Sequence, residues 1–264
     1  MTLAFDAAAF HAARRGAWGG DLALHASLGS TQDAALTRAQ AGAGQGSVVL
    51  AESQSAGRGR WGKAWEGRPG LSLLFTVLLG PWGSATAGTL PLALGLASVQ
   101  ALRGLGLAAA QCKWPNDLWW HDRKLGGLLL ERRGDWLLAG CGLNVGQGPD
   151  DWPPGLLPGA VSLVMAGLAA PRETVLAALL EAWERMLGRW RVGGLASLSD
   201  EWAQVDALAG RDCRLRQGER VFQARVLGLA QDGALRVRLP DGSEADLASA
   251  EVEQVRPLGP DRRS

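Results

Sequence analysis

The segment GRGRWGKA, at residues 57–64, matches two well-known phosphate-binding patterns. Whether either pattern is real decides which fold this chain can have. A P-loop needs a hydroxyl side chain directly after Lys63 to hold Mg²⁺, and the residue there is Ala64. The P-loop and the dinucleotide pattern G-x-G-x-x-G both require a helix next, but WEGRPG at 65–70 cannot form its first turns. Residues 53–56 also separate the segment from the strand predicted before it. We therefore exclude both of these folds.

The same segment has the composition of a mobile loop that closes over a phosphate. Two arginines flank Gly59, and each arginine–phosphate hydrogen bond contributes roughly 1.5–3 kcal/mol. Ordering residues 57–65, which include three glycines, costs on the order of 10 kcal/mol. We therefore predict a loop that is disordered without ligand and closes on binding, with Trp61 and Trp65 as apolar cover. A surface loop without a ligand is the simpler alternative.

Hydrophobic periodicity and turn residues divide the rest of the chain into a larger α+β part and a small β part. After a helix and loop within residues 1–24, the predicted helices of the larger part span 30–40, 89–107 and 172–191. Its predicted strands span 47–52, 71–79, 111–113, 117–120, 127–131 and 136–145. Ser30 and Asp33 resemble a capping box. Four short strands with Asp-Gly turns predict a small β-barrel, at 211–215, 221–229, 234–239 and 244–247.

Composition excludes several classes of protein. The chain has 264 residues and a formal net charge of +1, so no global field favours nucleic acid or an anionic membrane. Cys112, Cys141 and Cys213 are widely spaced, match no metal-binding pattern, and are predicted to be buried thiols in a reducing compartment. The sequence shows no apolar run of 18 residues and no signal-peptide pattern, so we expect a cytoplasmic protein.

The rare amine and amide side chains fall in one region of the chain. Beside 24 arginines there are three lysines, at 63, 113 and 124, and two asparagines, at 116 and 144. Arginine and lysine are not interchangeable at tight sites, so these five positions are candidates for specific chemistry, with coincidence as the alternative. Four of them lie in three short motifs: KWPND at 113–117, RKLGG in a tight hairpin at 123–127, and GCGLN at 140–144.

Taken in order, these motifs resemble those of the biotin–protein ligases. The resemblance covers residues 25–257 and rests on the three motifs above together with Ser30, Thr31, Gln54 and the loop at 57–62. It implies an α+β fold in two domains. A mixed β-sheet catalytic domain packed with helices, of the class II synthetase type, would span residues 1–207. A small SH3-like β-barrel would span residues 208–264.

The resemblance implies an AMP-forming ligase reaction in two steps. Biotin and ATP with Mg²⁺ would give biotinyl-5′-AMP and pyrophosphate. A lysine of a biotin carboxyl carrier domain, in acetyl-CoA carboxylase or a related carboxylase, would then attack the mixed anhydride. Biotin and MgATP are thus expected as substrates, with no tightly bound prosthetic group. No DNA or membrane partner is expected, and a homodimer is left open.

The resemblance also assigns roles to individual residues. Positive charge at Lys124 would stabilise the transition state, and Asp117 would help with Mg²⁺ or with the incoming lysine. The expected catalytic residues are Lys124, Arg60 and Asp117. The residues expected to bind biotin are Ser30, Thr31, Gln32, Gln54, Arg58, Gly59, Arg60, Lys124 and Gly126. The residues expected to bind the nucleotide are Gly57, Arg58, Arg60, Trp65, Lys113, Asn116 and Asn144.

Some of these residues have simpler structural alternatives, and the sequence departs from the family at two places. Ser30 could only cap a helix, Lys113 could be a solvated strand end, and Asn116 could only shape a turn. Gln32 replaces the asparagine that often follows Ser-Thr, which puts its contact with biotin in question. The chain has no tyrosine, so residues 71–74 are expected to shape the pocket wall that a tyrosine lines in many relatives.

Two other functions are weighed against this one. A lipoate ligase or lipoyl transferase of the same superfamily is the nearest, although the KWPND and GRGR segments favour biotin. A DNA-binding regulator fits less well, because fewer than 30 residues precede Ser30, too few for a winged-helix domain. Residues 211–256 also lack the basic excess of a nucleic-acid module.

Overall fold

A seven-stranded mixed sheet forms the centre of the larger part of the chain. The computed structural model describes residues 4–81, 87–157 and 159–258. The strands are β1 Leu22–His25, β2 Val48–Ala51, β3 Ser72–Pro81, β4 Ala110–Lys113, β5 Asp117–Trp120, β6 Arg123–Arg133 and β7 Trp136–Asn144. Their order across the sheet is β1-β2-β3-β7-β6-β5-β4. Strands β1 and β2 run parallel, and the other neighbouring pairs are antiparallel.

Helices cover both faces of this sheet, which explains why its central strands are apolar throughout. Helices α3 Leu90–Gly104 and α4 Arg172–Gly193 cover one face, where the rings of Phe75 and Trp183 lie 5.5 Å apart. Helix α1 Ala7–Ala13 precedes the sheet. Helix α2 Thr31–Gln40 covers the other face, where Ala35 and Ala39 pack on β2, β3 and β7.

Helix α2 begins at the predicted place but without the predicted capping box. The Ser30 hydroxyl accepts a hydrogen bond from the Gln32 backbone N–H at 3.3 Å, as an N-cap does. The Asp33 carboxylate accepts hydrogen bonds from the Arg58 guanidinium instead of turning back to the cap. Asp33 therefore pairs with a residue that lies 25 positions away in the sequence.

The C-terminal part is a five-stranded antiparallel sheet that follows the short helix α5 Ser199–Ala203. Its strands are β8 Asp212–Gln217, β9 Arg220–Leu229, β10 Leu235–Arg238, β11 Glu244–Leu247 and β12 Gln254–Pro257. Their order is β11-β10-β9-β8-β12. Gly233 and Gly242 occupy the predicted Asp-Gly turns with φ of +83° and +87°. The predicted α+β fold with a small C-terminal β part is confirmed.

The sequence prediction missed some elements and misplaced one turn. Strand β1 lies in a segment predicted as helix and loop, and strand β12 and helix α5 were not predicted. Strand β6 begins at Arg123, so residues 123–127 lie within the strand. The hairpin turn is at His121 and Asp122, which both have positive φ.

The two sheets share one hydrophobic core, and the functional residues lie where they meet. The Trp114 indole donates to the carbonyl oxygen of Gly233 at 3.0 Å. Residues 205–207 pair with β4, since the Cys112 N–H donates to Val205 and the Cys112 carbonyl accepts from Ala207, both at 2.8 Å. The domain boundary at 207/208 stays a prediction. Within the described ranges, no helix combines the length and the apolar character that crossing a bilayer requires.

Candidate active site

A cavity of about 520 Å³ opens between the 57–65 loop, strands β4 to β7 and the start of β12. The predicted site residues that line it are Ser30, Thr31, Gln32, Gln54, Arg58, Gly59, Arg60, Trp65, Lys113, Asn116, Asp117, Lys124 and Asn144. The fold therefore brings together most of the residues that the sequence indicated.

Two predicted site residues, Gly57 and Gly126, are not among the residues that line the cavity. A Cβ atom on Gly57 would lie 2.5 Å from the carbonyl oxygen of Trp65, and one on Gly126 would lie 2.6 Å from that of Gly142. Each glycine thus permits a close approach of two backbone segments behind the cavity wall.

One end of the cavity is a buried network of hydroxyl and amide groups at the start of α2. The Thr31 N–H and hydroxyl both donate to Oε1 of Gln54, at 2.7 and 3.0 Å. The Thr76 hydroxyl donates to that of Thr31 at 2.9 Å. Ser30 caps α2 and also lines the cavity, so its structural role does not exclude a role in binding.

Gln32 leaves a hydrogen-bond acceptor unused at this end. Its Nε2 donates to the carbonyl oxygen of Leu129 at 2.8 Å, and this bond fixes which way the amide points. Its Oε1 is buried and has no hydrogen-bond partner among the residues that the structure describes. Leaving a buried acceptor unpaired costs about 1–3 kcal/mol, which a ligand donor would recover if the Gln32 side chain turned its Oε1 toward the cavity.

Lys113, Asp117 and Lys124 form a cluster of charges in the middle of the cavity. The Lys124 ammonium lies 2.6 Å from Oδ1 of Asp117, and the Lys113 ammonium lies 3.5 Å from Oδ2. The side chain of Lys113 is only 11% exposed, so it is not the solvated strand end given as the alternative.

Burial and charge shift the pKa values of two members of this cluster. Burial lowers the pKa of Lys113, although the charge of Asp117 opposes this shift. Burial would raise the pKa of Asp117, but the charges of Lys124 and Lys113 outweigh it and hold that pKa below its usual value. Asp117 thus stays ionised at neutral pH between two cationic side chains.

Trp65 covers the cluster from the loop side. The Lys124 ammonium lies 5.2 Å from the centre of the Trp65 ring, within the range of a cation–π interaction. A Cβ atom on Gly142 would lie 2.2 Å from the indole, so the ring rests directly on the backbone of β7. A side chain larger than hydrogen at position 142 would prevent this contact.

The remainder of the loop is held in place by hydrogen bonds within the loop and by contacts with the C-terminal part. Gly59 N–H donates to the Lys63 carbonyl at 2.7 Å, and Trp65 N–H donates to that of Gly57 at 3.0 Å. The Arg60 guanidinium donates to the carbonyl oxygens of Ser249 and Val252. Burial lowers its pKa. These contacts were not counted in the sequence estimate of the ordering cost, and disorder of the empty loop stays a prediction.

The two asparagines are engaged with the backbone. Asn116 Nδ2 donates to the Leu128 carbonyl at 2.6 Å, which fits its alternative role in shaping the turn. Asn144 Nδ2 donates to the Val161 carbonyl at 3.3 Å, and its Oδ1 accepts from Gln147 at 3.4 Å. Both residues also line the cavity, and their contacts with a nucleotide stay predictions.

Asp117 does not fit the predicted role of Mg²⁺ ligand. Two ammonium groups already neutralise its carboxylate, and they would repel a divalent cation. The described residues contain no group of three or more His, Cys, Asp or Glu side chains that could hold a metal ion. A metal ion at this site would therefore have to arrive with ligands of its own.

The cavity wall differs from the prediction that residues 71–74 shape it. Leu71 precedes β3 and residues 72–74 lie on it, and none of the four is among the residues lining the cavity. Strand β7 lies between β3 and β6, and its residues 140–142 line the cavity together with Trp65. Small residues on β7 and an indole from the loop thus form this wall.

Sequence comparisons agree with this geometry. The model of the biotin/lipoate A/B protein ligase family matches residues 25–147, and the biotin protein ligase C-terminal domain matches residues 209–254. The biotin–[acetyl-CoA-carboxylase] ligase of Paracoccus denitrificans is 32% identical over 219 residues, which cover 77% of this chain and 88% of that protein. The chain belongs to the biotin protein ligase family. It is a ligase.

Other members of the biotin protein ligase family share the sequence and the fold. The bifunctional ligase/repressor BirA of Escherichia coli (strain K12) is 31% identical over 221 residues, which cover 78% of this chain and 68% of that protein. The biotin protein ligase of Aquifex aeolicus, solved in complex with biotin and ATP, is 25% identical with a TM-score of 0.80. That match covers 90% of this chain and 100% of the solved one.

Some residues around the site of this ligase had no signal in the sequence. Trp152 to Leu156 line the cavity from a Gly- and Pro-rich stretch predicted only as loop, and Val252 to Val255 line it from the C-terminal sheet. Thr76 supports Thr31 from the middle of a strand. These residues reach the site through long-range folding, so spacing along the chain does not reveal them.

Proposed function

We propose that this ligase joins biotin to ATP, forming biotinyl-5′-AMP and pyrophosphate, and then transfers the biotinyl group to a lysine of a biotin carboxyl carrier domain. Relatives support this proposal: the Aquifex aeolicus structure contains biotin and ATP. A biotin protein ligase from Leishmania major, in complex with biotinyl-5-AMP, is 27% identical with a TM-score of 0.58 and covers 87% of this chain. The carrier is the acceptor expected from the resemblance.

The polar end of the cavity, formed by Ser30, Thr31 and Gln32 beside Gln54, is the observation that carries the choice of biotin. The ureido ring of biotin has two N–H donors and one carbonyl acceptor. One N–H would donate to Oε1 of Gln32 once that side chain turns toward the ligand, and the carbonyl would accept from the hydroxyl group of Ser30. This arrangement pairs the polar groups on both sides, as burial requires. Gln32 thus serves where the family often has asparagine.

Lipoate fits this end of the cavity less well. Its dithiolane ring has no N–H or O–H donor, so Oε1 of Gln32 would stay buried and unpaired. A site built around a polar group rejects an analogue that cannot pair it, at a cost of about 1–3 kcal/mol. The match of residues 209–254 to the biotin protein ligase C-terminal domain points the same way.

The charge cluster fits the first step. An oxygen of the biotin carboxylate attacks the α-phosphorus of ATP, the bond to the β-phosphate oxygen breaks, and pyrophosphate leaves with that electron pair. Negative charge gathers around the α-phosphate, where Lys124 and Arg60 would stabilise it. Asp117 would hold the Lys124 ammonium in place through their 2.6 Å contact.

The same cavity would hold the adenylate for the second step. The neutral amine of the acceptor lysine attacks the carbonyl carbon, an amide bond forms, and AMP leaves. Until then water must be excluded, because the mixed anhydride is readily hydrolysed. Trp65, stacked on Gly142 and above Lys124, is placed to exclude it.

Two measurements test the proposal. Biotin-dependent exchange of labelled pyrophosphate into ATP should be observed, and lipoate should not replace biotin. Biotin should also become attached to a purified carboxyl carrier domain when ATP is present, and not when ATP is left out. Exchange with lipoate alone would overturn the choice of substrate, while exchange without transfer would overturn the choice of acceptor.

A further inference from the structure

Two carboxylates bind the guanidinium of Arg58 at the start of the loop. Its Nη1 donates to Oδ2 of Asp33 at 2.9 Å and its Nη2 donates to Oδ1 at 2.8 Å, which is a bidentate ion pair. The same Nη2 lies 3.4 Å from Oε2 of Glu131 on β6. Both terminal nitrogens of Arg58 are thus engaged by carboxylates.

The Arg58–Asp33 pair is partly exposed, but it is bidentate and belongs to a network of charged side chains. The side chains of Arg58, Asp33 and Glu131 are 30%, 55% and 20% exposed. Arg133 donates to Glu131 at 2.9 Å and lies 3.6 Å from Asp33, so charges of opposite sign alternate through the cluster. The hydrogen bonds from Arg58 lower the pKa of Asp33, so the carboxylate stays ionised in mildly acidic solution.

We propose that Arg58 is a positioning residue that ties the 57–65 loop to helix α2 and strand β6, and that contact with the α-phosphate falls to Arg60. A phosphate at the terminal nitrogens of Arg58 would compete with two carboxylates for the guanidinium. Arg60 donates to neutral backbone carbonyls, which compete more weakly with a phosphate. This inference rests on the proposed function for the identity of the phosphate.

The tie extends through the loop to the reaction centre. Arg58 pairs with Ala64 in an isolated antiparallel bridge, and Trp65 N–H donates to Gly57. Fixing Arg58 therefore fixes the backbone that places Trp65 on Gly142 and above Lys124. Releasing Arg58 should loosen the loop and weaken substrate binding, while Arg60 keeps its own anchor on the carbonyl oxygens of Ser249 and Val252 and Lys124 keeps its contact with Asp117.

A double-mutant cycle tests this inference. Asp33→Asn and Arg58→Gln should each raise the KM for biotin in pyrophosphate exchange about tenfold, with kcat within about twofold of wild type. The double variant should be no worse than Arg58→Gln alone, because both changes break one interaction. Arg60→Gln should lower kcat instead.

Asp21→Asn is the matched control. It breaks the Asp21–Arg38 ion pair, which also involves helix α2 but does not touch the loop, and it should leave KM and kcat unchanged. The inference is overturned if Arg58→Gln lowers kcat as Arg60→Gln does while Asp33→Asn keeps the wild-type KM. That result would place Arg58 on the phosphate.

Hydrogen exchange gives a readout that does not depend on activity. In the protein without substrate, where the tie opposes the disorder predicted from the sequence, the amides of Gly59 and Trp65 should exchange about tenfold faster in Asp33→Asn than in wild type, and at the wild-type rate in Asp21→Asn. Equal rates in wild type and Asp33→Asn would overturn the tie. If wild type shows no biotin-dependent exchange of pyrophosphate, the proposed function fails, and the amide rates still decide the role of Arg58.

Discussion

Lys124 joins the two sides of the reaction centre. Its ammonium lies 2.6 Å from Asp117 on the sheet and 5.2 Å from the Trp65 ring on the loop. It is 37% exposed, so one side still faces the cavity. The residue is therefore held by the protein and remains accessible to a ligand.

Removing this charge should stop the first step. Lys124→Ala is expected to lower the rate of biotin-dependent pyrophosphate exchange by about 10²–10³, since a preorganised cation at the developing charge is lost. Lys113 remains beside Asp117, so the carboxylate keeps one ion pair and the fold should persist. Exchange kinetics and circular dichroism measure the two effects, and near-normal exchange in a folded variant would contradict the role.

Gly142 makes room for the Trp65 ring. Gly142→Ala would place a Cβ atom 2.2 Å from the indole, so the ring must move off β7. We expect a higher KM for biotin and faster loss of the adenylate to water, measured by AMP release without acceptor. Gly148→Ala is the control because its Cβ would meet Asp151 at an ordinary 3.6 Å. Equal AMP release in both variants would show that Trp65 does not guard the adenylate.

At the scale of elements, the segment 205–207 pairs with β4 and contains a buried carboxylate. Burial raises the pKa of Asp206, and its Oδ2 has no hydrogen-bond partner in the described part of the chain. Its Oδ1 accepts from the Leu208 N–H at 2.8 Å. The charged form is therefore destabilised by the fold.

Asp206→Asn should stabilise the protein at neutral pH. A pKa raised above the usual 3.8 means that this group favours folding below that pH, and the benefit is lost as pH rises through the folded pKa. The variant should raise the free energy of unfolding at pH 7.5 by on the order of 1 kcal/mol, since it removes the charge. Denaturant melts at pH 7.5 and pH 4 should show a gain that shrinks in acid. A gain that is equal at both pH values would contradict this cause.

The helices and strands differ in how well the sequence predicts them. Long apolar stretches and Asp-Gly turns predicted β3, α3, α4 and the C-terminal hairpins, because their signals are local. Strand β1 has four residues and is stabilised by parallel pairing with β2, a contact that local pattern does not contain. The Asp33–Arg58 pair and the unpaired Oε1 of Gln32 likewise depend on residues far apart in the chain.

At the scale of the whole molecule, two Asp-Gly turns of the C-terminal sheet have the same backbone and different surroundings. Gly233 and Gly242 have φ of +83° and +87°. A Cβ atom on Gly233 would lie 2.8 Å from Leu92 and 3.0 Å from Thr89, next to α3, whereas one on Gly242 would meet nothing within 4 Å. The first turn packs against the catalytic part and the second faces open space.

Comparing alanine variants of the two turns measures how much the contact between the Gly233 turn and α3 contributes to stability. Both changes to alanine incur a backbone cost of about 1–2 kcal/mol at positive φ, and Gly233→Ala should add about 1–3 kcal/mol from overpacking. Thermal unfolding of the two variants measures the difference. Gly233→Ala should also raise the KM for ATP, because Gly233 accepts from Trp114, next to Lys113 and Asn116. Equal melting temperatures would show that the turn does not hold the two sheets together.

The scarcity of lysine has a consequence under the proposed function, because the biotinyl adenylate would react with amines. An acyl adenylate can acylate any free amine close to it, and the side-chain amines of this chain are Lys63, Lys113 and Lys124. Lys124 is held in an ion pair with Asp117 at 2.6 Å, whereas burial lowers the pKa of Lys113 and favours its neutral, nucleophilic form. The 24 arginines supply positive charge without nucleophilicity. Self-labelling should therefore be confined to these few lysines, and the protein offers the proposed adenylate few competing targets.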